Sequence, residues 1–430
     1  MKLFGASKIE GNNLKIAGLE AKYLAENFGT PLYVMDEKLI IDKCREYYKA
    51  FKVKEENNRV AYAGKAFLTL EMCRIIDREG LCLDVVSGGE LYTAYKANFN
   101  MEKVYFHGNN KTEEEIELGV KLGVGRFIVD NLWEMKKINE IAEKYGKVQK
   151  IYLRITPGIE AHTHDYIKTG QIDSKFGFAP VDNIIMNSIK NALELSNLNL
   201  VGLHCHIGSQ IFDNEPFGDA AEIMLKLIKE IKQETGHEIE ELNLGGGFGV
   251  YYSDGDNPKD ISYYCAAILD RVDKVCKELS IKKPILTIEP GRSIVANAGT
   301  TLYKVGSIKE IPNIRKYIAV DGGMTDNIRP ALYDAKYEAI IANKANEPFE
   351  DLVTVVGKCC ESGDVLIKDI KLQKAESGDI LAVTSTGAYG FSMASGYNKN
   401  LRPAVVFVRD GEAKIVVKRQ SFEELLLNEI

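Results

Sequence analysis

Lys65 is the residue whose setting first suggests chemistry in this chain. It is the one charged residue in VAYAGKAF (60–67), where every other residue is apolar or small. An ammonium group in such a stretch costs free energy unless it is paired, neutralised or put to use. Lysine amines in desolvated sites act as nucleophiles and form Schiff bases with carbonyl groups. Since most lysines are solvated surface charges, the rest of the sequence has to decide between these interpretations.

Two glycine-containing stretches in the second half of the chain suggest a phosphate site. GGGFG occupies residues 245–249 and EPGR occupies residues 289–292. Glycines without side chains let backbone N–H groups close on an anion, and Arg292 adds a planar fork of donors. Ser209, in HCHIGSQ (204–210), adds a hydroxyl. A glycine cluster alone also fits an ordinary turn, but the three stretches together favour a phosphate group.

A lysine amine and a phosphate cradle in one protein indicate pyridoxal 5'-phosphate as the cofactor. Glu289, beside the cradle, is suited to keep the pyridine nitrogen protonated, so that the ring accepts electrons. His206 is suited to stack on the ring face. His204 and His206 also fit a metal pair, but metal-dependent barrel hydrolases usually carry H-x-H on the first strand, where this chain offers Lys65. We therefore predict no metal site.

Eight short apolar runs between residues 60 and 290 position these groups. They alternate with amphipathic segments and read VAYA (60–63), LCLDVV (81–86), VYF (104–106), FIV (127–129), IYLRI (151–155), VGLHCHI (201–207), LNLGG (242–246) and ILTIEP (285–290). Near-continuous apolar runs are typical of parallel strands covered by helices, and their number and spacing match a (β/α)8 TIM barrel. An open doubly wound sheet is the alternative. Barrel enzymes carry functional groups at the carboxyl ends of strands, where the candidate residues fall.

The pattern of apolar and turn-forming residues changes from about residue 292. Short β-rich runs broken by Gly and Asp turns, such as KYIAVDGG and AVVFVRDGEAKIVVKR, are typical of an antiparallel sheet. We therefore predict an α/β fold with a barrel over residues 36–285 and a β-sandwich or barrel-like antiparallel domain over residues 286–430. The N-terminal segment, residues 1–35, is expected to add a strand to that domain. The polar and aromatic residues 161–178 are predicted to form a loop over the active site.

Composition narrows the class of protein. A net charge of −7 argues against nucleic acid or an anionic membrane as the main partner. No apolar run approaches the roughly 20 residues that span a bilayer, and the start turns polar too early for a signal peptide, so we expect a cytoplasmic protein. Eight cysteines without a CxxC pair indicate free thiols. The adjacent pair Cys359–Cys360 is unusual.

A series of motifs, in order over nearly the full chain, resembles the diaminopimelate decarboxylase family of fold type III pyridoxal phosphate enzymes. The motifs are YAGKA, DVVSGGEL, HGNNK, THDYIKTGQIDSKFG, GLHCHIGSQ, NLGGGFG, EPGRS, DGGMTDNIRPALYDA, CCESGD, TGAYGFSMASGYN and RP. The resemblance implies decarboxylation of meso-2,6-diaminopimelate to L-lysine and CO2. It also implies a barrel plus a β domain, and a homodimer whose active sites lie at the interface.

The resemblance further implies a role for each matching residue. Lys65 would carry the Schiff base, and His206 would stack on the ring. The residues that would bind the cofactor are Lys65, His206, Ser209, Gly246, Gly247, Glu289, Pro290, Gly291, Arg292 and Tyr389. Arg292, Arg329 and Tyr333 would contact the distal carboxylate of the substrate, Glu361 its distal ammonium group, and Tyr389 the substrate as well as the cofactor. Cys360 would be the proton donor, reaching in from the partner subunit, with Cys359 a bystander.

Three other functions stay open on the sequence. One is a related decarboxylase acting on carboxynorspermidine or on a basic amino acid such as arginine, whose substrate lacks the distal carboxylate that Arg329 and Tyr333 would bind. Another is a cofactor-binding protein without turnover, against which intact Lys65, Cys360 and Glu361 argue. The third is a metal-dependent barrel hydrolase. One departure is Phe67, which stands where the family often has Asn and puts the fine positioning of the site in question.

Overall fold

A computed structural model describes residues 1–158 and 173–430 of the chain. These residues form two compact units. The first comprises residues 1–42, 250–257 and 293–430, and the second comprises residues 43–249 and 258–292. Most of the predicted loop 161–178 lies outside the described residues. Within the part of the chain that the structure describes, every helix is too short or too polar to cross a bilayer.

The N-terminal segment belongs to the first unit. It contains strands Lys8–Glu10 (β1), Asn13–Ile16 (β2), Leu19–Glu20 (β3) and Leu32–Asp36 (β4), and helix Ala21–Phe28 (α1). It ends within helix Glu37–Ala50 (α2), which belongs to the second unit from residue 43 onward. β1, β2 and β3 pair as a small antiparallel sheet. The apolar residues that alternate along β2 and β4 enter one core, in which Leu14, Ile16, Leu32 and Val34 are almost completely buried.

Eight parallel strands within the described residues close into a barrel in the second unit, which confirms the predicted fold class. The strands are Arg59–Ala63 (β5), Cys82–Val85 (β6), Val104–Phe106 (β7), Arg126–Val129 (β8), Gln149–Arg154 (β9), Leu198–His204 (β10), Glu241–Asn243 (β11) and Ile285–Ile288 (β12). The helices are Val53–Glu56 (α3), Leu70–Arg78 (α4), Gly88–Lys96 (α5), Glu113–Leu122 (α6), Leu132–Lys144 (α7), Ile184–Glu194 (α8), Glu215–Thr235 (α9) and Ile261–Leu279 (α10). β12 pairs with β5, so the barrel must include residues beyond the predicted boundary at 285.

Capping side chains mark the start of four barrel helices soon after the preceding strands end. Thr69, Ser87, Thr112 and Asn131 precede α4, α5, α6 and α7, and each side-chain oxygen accepts a backbone N–H of the first turn of its helix. Such caps satisfy N–H groups that have no partner inside the helix. The helices therefore begin three to seven residues after the strand ends, and the first of these turns carries Lys65.

A buried charge cluster occupies the amino-terminal ends of the barrel strands. Glu241 accepts two hydrogen bonds from Arg126, at 2.7 and 2.8 Å, and lies 2.8 Å from Nη1 of Arg59. The Tyr152 hydroxyl also donates to Glu241. Burial raises the pKa of Glu241, but the two arginines outweigh burial and hold that pKa at about 2. The cluster lies at the end of the barrel that TIM-barrel enzymes use for stability.

The remaining elements complete a mixed sheet in the first unit. The strands are Gly299–Ile311 (β13), Arg315–Val320 (β14), Ala339–Ile341 (β15), Asp351–Val356 (β16), Val365–Leu372 (β17), Ile380–Thr384 (β18), Ala404–Arg409 (β19) and Glu412–Val417 (β20). The short helices are Arg292–Val295 (α11), which begins at the last residue of the second unit, Arg329–Tyr333 (α12) and Phe422–Leu425 (α13). The main strand order is β17-β16-β14-β13-β4-β19-β20, and β18 pairs with both β13 and β15.

The predicted antiparallel β domain is present as a mixed sheet, which differs from the prediction in two parallel pairings. β4 pairs with β19 and β14 pairs with β16 in parallel. Parallel pairs need long connections, and here the whole barrel sequence separates β4 from β19. The expected contribution of the N-terminal segment is confirmed, because β4 lies between β13 and β19.

Candidate active site

Lys65 lies on the 3-10 turn Gly64–Ala66, directly after β5. Gly64, Ala66 and Phe67 are buried, whereas the Lys65 side chain is exposed. The predicted interior setting therefore holds for the residues around the turn and not for the ammonium group. Phe67, which stands where the family often has Asn, is 1% exposed, and the Tyr62 hydroxyl donates to its carbonyl oxygen at 2.6 Å. Phe67 thus belongs to the packed core beneath the turn.

The EPGR stretch passes close to the Lys65 turn. The Ala63 N–H donates to the Pro290 carbonyl oxygen at 3.1 Å. A Cβ on Gly291 would lie 2.9 Å from Cβ of Ala63 and 3.2 Å from Cβ of Ala66. Only a residue without a side chain fits this approach. The close packing of β5 and the loop after β12 therefore brings the Lys65 turn against Pro290 and Gly291.

Glu289 follows β12 and lies in a buried cluster of polar side chains. Nε2 of His107 lies 2.8 Å from Oε1, and Nε2 of His204 lies 3.2 Å from Oε2. The Asn243 amide donates to Oε1 at 2.6 Å. The two histidine rings meet edge to face, with centroids 4.8 Å apart. The carboxyl ends of β7, β10, β11 and β12 thus hold one carboxylate from several sides.

The surroundings of Glu289 favour its ionised form. Burial raises its pKa, but His107 and His204 outweigh burial and hold the pKa of Glu289 well below its usual range. Burial lowers the pKa of His204 to about 4, so this ring is neutral at pH 7. A neutral His204 donates to Glu289 only if Nε2 carries the proton. Its Nδ1 is then bare, and this atom has no hydrogen-bond partner among the described residues.

Asp84, at the end of β6, is a second buried carboxyl group of this site. Its Oδ1 lies 3.7 Å from Nε2 of His107. Burial raises the pKa of Asp84, while His107 lowers it and the charge of Glu289 raises it further. The two carboxyl groups that share His107 therefore have pKa values shifted in opposite directions, which is a common property of functional sites.

Three glycine-containing turns form the predicted phosphate cradle. A Cβ on Gly246 would lie 2.0 Å from the Glu289 carbonyl oxygen, and Gly247 has φ +112° and its Cβ would lie 2.2 Å from the Gly208 carbonyl oxygen. Both positions thus require glycine. Nη2 of Arg292 donates to Oγ of Ser209 at 3.0 Å, which joins the EPGR and GSQ stretches. The cradle residues predicted from the sequence thus lie together.

His206 lies beside the cradle. The Gly246 N–H approaches its Nδ1 at 3.3 Å. Burial lowers the pKa of His206 well below its usual value, and the charges of Lys65 and Arg154 lower it further. A neutral ring at this position is suited to stack on an aromatic cofactor.

The predicted substrate-binding residues Arg329, Tyr333 and Tyr389 lie in the first unit. Arg329, the first residue of α12, is 7% exposed, and its guanidinium donates to the Tyr337 hydroxyl and lies 4.8 Å from the centroid of the Tyr252 ring. Tyr333 ends the same helix and is half-buried. Tyr389 is half-buried and has φ +63°, a conformation that a bulky residue seldom adopts outside a constrained site.

Cys360 and Glu361, also in the first unit, lie on an exposed turn between β16 and β17. Oδ2 of the buried Asp364 accepts the Cys359 N–H at 2.8 Å, and Oδ1 accepts the Met324 N–H at 2.7 Å. Oε1 of Glu361 accepts the Gly363 N–H at 3.1 Å. Of the eight cysteines, Cys360 is exposed, Cys359 is partly exposed and the other six are buried. Exposure therefore distinguishes Cys360 from the structural thiols.

Sequence reasoning did not include His107, Asn243 or Asp364 among the site residues. His107 and Asn243 could have been found from their positions, since one follows β7 and the other ends β11. Asp364 had no such signal. His107, His204 and Glu289 also offer ligand atoms within 4.8 Å of one another, as three metal ligands would. The absence of a metal site stays a prediction.

The predicted loop 161–178 can be followed only from residue 173. The Gly177 N–H donates to Oδ2 of Asp130 at 2.9 Å, and the Phe176 ring lies 4.2 Å from the guanidinium carbon of Arg154. These contacts join the end of the segment to the carboxyl ends of β8 and β9. The prediction that the segment covers the active site falls mainly on residues outside the described ranges.

Known proteins are similar to this chain over nearly its full length. Residues 37–296 match the family "Pyridoxal-dependent decarboxylase, pyridoxal binding domain". The chain is 49% identical over 427 residues to a diaminopimelate decarboxylase of Bacillus subtilis, covering 99% of this chain and 97% of that protein. It is 50% identical over 421 residues to that of Bacillus methanolicus, covering 98% of each.

A solved structure is also similar over the full length. The diaminopimelate decarboxylase of M. jannaschii in complex with L-lysine has a TM-score of 0.92 and 40% sequence identity, covering 99% of this chain and 97% of that one. A shared barrel and a shared β unit, full-length relatives at about half identity and a matched pyridoxal-binding domain lead to one conclusion. This chain belongs to the diaminopimelate decarboxylase family of pyridoxal-dependent decarboxylases.

Proposed function

We propose that this chain decarboxylates meso-2,6-diaminopimelate to L-lysine and CO2 with pyridoxal 5'-phosphate as cofactor. The observation that carries the proposal is the buried carboxyl group of Glu289, contacted by His107, His204 and Asn243 beside the glycine cradle. A buried carboxylate in its ionised form stabilises a proton on a pyridine nitrogen. Metal-dependent enzymes and enzymes that use only acid–base catalysis have no need for a carboxylate paired with a pyridine nitrogen. The substrate is inferred from the full-length relatives, which are diaminopimelate decarboxylases.

The residues present fit pyridoxal phosphate. The close approaches at Gly246 and Gly247 leave backbone rather than side chains around the cradle, and Arg292 and Ser209 add donors for a phosphate. Lys65 would supply the amine for the cofactor aldehyde, and the neutral His206 ring would pack against the cofactor ring. When bound, the cofactor supplies an electron sink for the electron pair left when CO2 departs.

Two side chains of this protein hold or transfer the protons of the reaction. Glu289 would hold a proton at the pyridine nitrogen, because the histidine cluster lowers the pKa of its carboxyl group and favours the carboxylate. Cys360 delivers a proton from Sγ to the substrate Cα, which replaces the lost carboxylate. General acids of this kind contribute about 10²–10⁴-fold to rate. Cys359 has no role in this scheme.

Recognition of the distal end of the substrate is assigned to Arg292, Arg329, Tyr333, Tyr389 and Glu361. A planar guanidinium binds both oxygens of a carboxylate, and a glutamate binds an ammonium group. The bidentate fork of Arg329 is oriented by its stacking on Tyr252 and by the hydroxyl of Tyr337. Ornithine and arginine lack the distal carboxylate, so this set favours diaminopimelate.

We further propose a homodimer in which Cys360 and Glu361 of one copy serve the site of the other. The exposure of both residues in a single chain supports this arrangement, because a proton donor works best where water is excluded. The test is complementation. Lys65→Ala and Cys360→Ala should each be nearly inactive alone, and a mixture of the two, unfolded and refolded together, should recover up to about a quarter of the wild-type rate. No recovery would place both residues in one subunit's site.

The reaction itself is tested with purified protein loaded with pyridoxal phosphate and incubated with meso-diaminopimelate. We expect lysine and CO2 in equal amounts, with lysine quantified by mass spectrometry. Arginine, ornithine and carboxynorspermidine serve as competing substrates. Turnover of one of these in place of diaminopimelate would move the assignment to a related decarboxylase. Activity that requires an added metal ion and no cofactor would overturn the cofactor assignment.

A further inference from the structure

The main chain of Cys360 is held by side chains from a distant segment, GYNKN (396–400). The Cys360 N–H donates to Oδ1 of Asn398 at 2.8 Å, and the Tyr397 hydroxyl donates to the Cys360 carbonyl oxygen at 3.2 Å. These partners are 38 and 37 residues away along the chain. Both backbone polar groups of one exposed cysteine are therefore engaged by neighbouring side chains.

The GYNKN segment is ordered by its own hydrogen bonds. The Lys399 N–H donates to the Gly396 carbonyl oxygen at 2.9 Å, and the Asn400 amide donates to the Tyr397 carbonyl oxygen at 3.1 Å. Asn398 has φ +52° and ψ 25°, a left-handed conformation that Asn adopts more readily than most residues. The side chains that hold Cys360 thus extend from a turn whose own shape is set locally.

The turn that carries Cys360 is also held on its other side. Asp364 accepts the Cys359 N–H, and its own N–H donates to the Glu361 carbonyl oxygen at 3.0 Å. The residues before and after Cys360 are therefore tied to Asp364, and Cys360 itself is tied to the GYNKN segment. The backbone that carries this exposed thiol therefore has a defined position.

We propose that Asn398 and Tyr397 are positioning residues for the Cys360 thiol. The inference rests on the proposed role of Cys360 as proton donor. Neither residue needs to touch the substrate, because each acts through the backbone of Cys360. Proton transfer is sensitive to geometry, and a displacement of about 1 Å can cost about 10²-fold in rate. Loss of one of these hydrogen bonds should let the exposed backbone of Cys360 move further from its position.

Three variants of the holoenzyme separate positioning from folding. Asn398→Gly keeps the left-handed backbone and loses the acceptor, whereas Asn398→Asp keeps an acceptor at the same place. Tyr397→Phe keeps the ring and loses the donor. For Asn398→Gly we expect kcat to fall about tenfold, with the KM for diaminopimelate within about twofold of wild type because a constraint on the donor leaves substrate contacts in place. The solvent deuterium isotope effect on kcat should rise, because proton delivery becomes slower than the other steps.

Asn398→Asp should recover most of the rate, and Tyr397→Phe combined with Asn398→Gly should be slower than either alone. A second measurement needs no turnover: the rate at which iodoacetamide alkylates Cys360 in a Cys359→Ser background. We expect this rate to change at least threefold in Asn398→Gly and to match the parent in Asn398→Asp.

The outcomes distinguish this inference from the proposed function. Wild-type kcat and an unchanged alkylation rate in Asn398→Gly would overturn the positioning role. Equal losses of kcat in Asn398→Gly and Asn398→Asp, with lowered melting temperatures in both, would show a structural role only and would also overturn it. Full activity in Cys360→Ala would instead refute the proposed proton donor, and the positioning role would fall with it.

Discussion

Nε2 of His107 lies 2.8 Å from Oε1 of Glu289, so a side chain after β7 contacts a side chain after β12, 182 residues further along the chain. On its other side the same nitrogen lies 3.7 Å from Oδ1 of Asp84. His107 therefore stands between two buried carboxyl groups. Its contact with Glu289 is shorter, and Glu289 also has His204 and Asn243, which explains why Glu289 is ionised while the pKa of Asp84 is raised.

Glu289→Gln tests the importance of that ionised carboxylate. The amide preserves shape but carries no negative charge, so it cannot stabilise a protonated pyridine nitrogen. We expect kcat to fall by about 10²-fold or more, since a preorganised charge of this kind is worth several kcal/mol. Steady-state kinetics on cofactor-saturated protein measure the effect. Glu240→Gln, at an exposed position just before β11 and at the opposite end of the barrel, is the control and should match wild type.

Lys65→Ala removes the amine that binds the cofactor. The purified variant should lack the visible absorption band of lysine-bound pyridoxal phosphate after dialysis, and it should lose turnover. Lys54→Ala, which removes an exposed lysine before β5, should keep both. A Lys65→Ala protein that keeps the visible band would assign cofactor attachment to another lysine.

Cys360→Ala and Cys359→Ala form a matched pair at adjacent positions. Loss of a general acid should slow turnover of the first by about 10²-fold or more, with cofactor binding kept. The second should retain near wild-type kcat. Absorption spectra and lysine production measure the two properties. Equal rates for both variants would mean that another group delivers the proton.

Arg329→Gln removes the guanidinium group that is assigned to bind the distal carboxylate of the substrate. A charge-assisted pair contributes roughly 1.5–3 kcal/mol, so we expect the KM for diaminopimelate to rise at least about tenfold. Tyr337→Phe, which removes only the hydroxyl that orients Arg329, should cause a smaller increase. An unchanged KM in Arg329→Gln would refute the assignment of the distal site.

The cluster around Glu241 predicts a pH dependence of stability. The pKa of Glu241 is lowered from 4.5 to about 2 in the folded barrel, because Arg126 and Arg59 outweigh burial. A lowered folded pKa contributes stability that is present above the unfolded pKa and is lost as the pH falls toward 2. The shift corresponds to about 3 kcal/mol.

Glu241→Gln should therefore be less stable than wild type by about 3 kcal/mol at pH 7, because the buried Arg126 and the half-buried Arg59 lose their counter-charge. The difference in the free energy of unfolding should shrink as the pH falls from 4.5 to 3. Urea unfolding followed by circular dichroism at pH 7, 4.5 and 3 measures it. A difference that is constant over this range would show that Glu241 does not titrate with folding.

The eight barrel strands could be located from the sequence because each is a local apolar run between amphipathic segments. Lys65, Glu289 and Arg292 could be located as well, since strand ends are sequence positions and the barrel brings carboxyl ends together. Cys360 and Arg329 could not be located from strand positions. They depended on resemblance to a family, because neither a thiol nor an arginine in a β unit carries a local signal of function.

By itself, the sequence determined the barrel, the strand ends and the residue types available for chemistry, because these follow from periodicity and caps within about 20 residues. Only the tertiary structure decided that His107 and Asn243 hold Glu289, that β4 pairs in parallel with β19, and that Asn398 holds the backbone of Cys360. Each of these contacts joins residues at least 38 apart, so its geometry depends on how distant segments of the chain pack together. Hydrophobic patterning along the chain does not encode those long-range contacts.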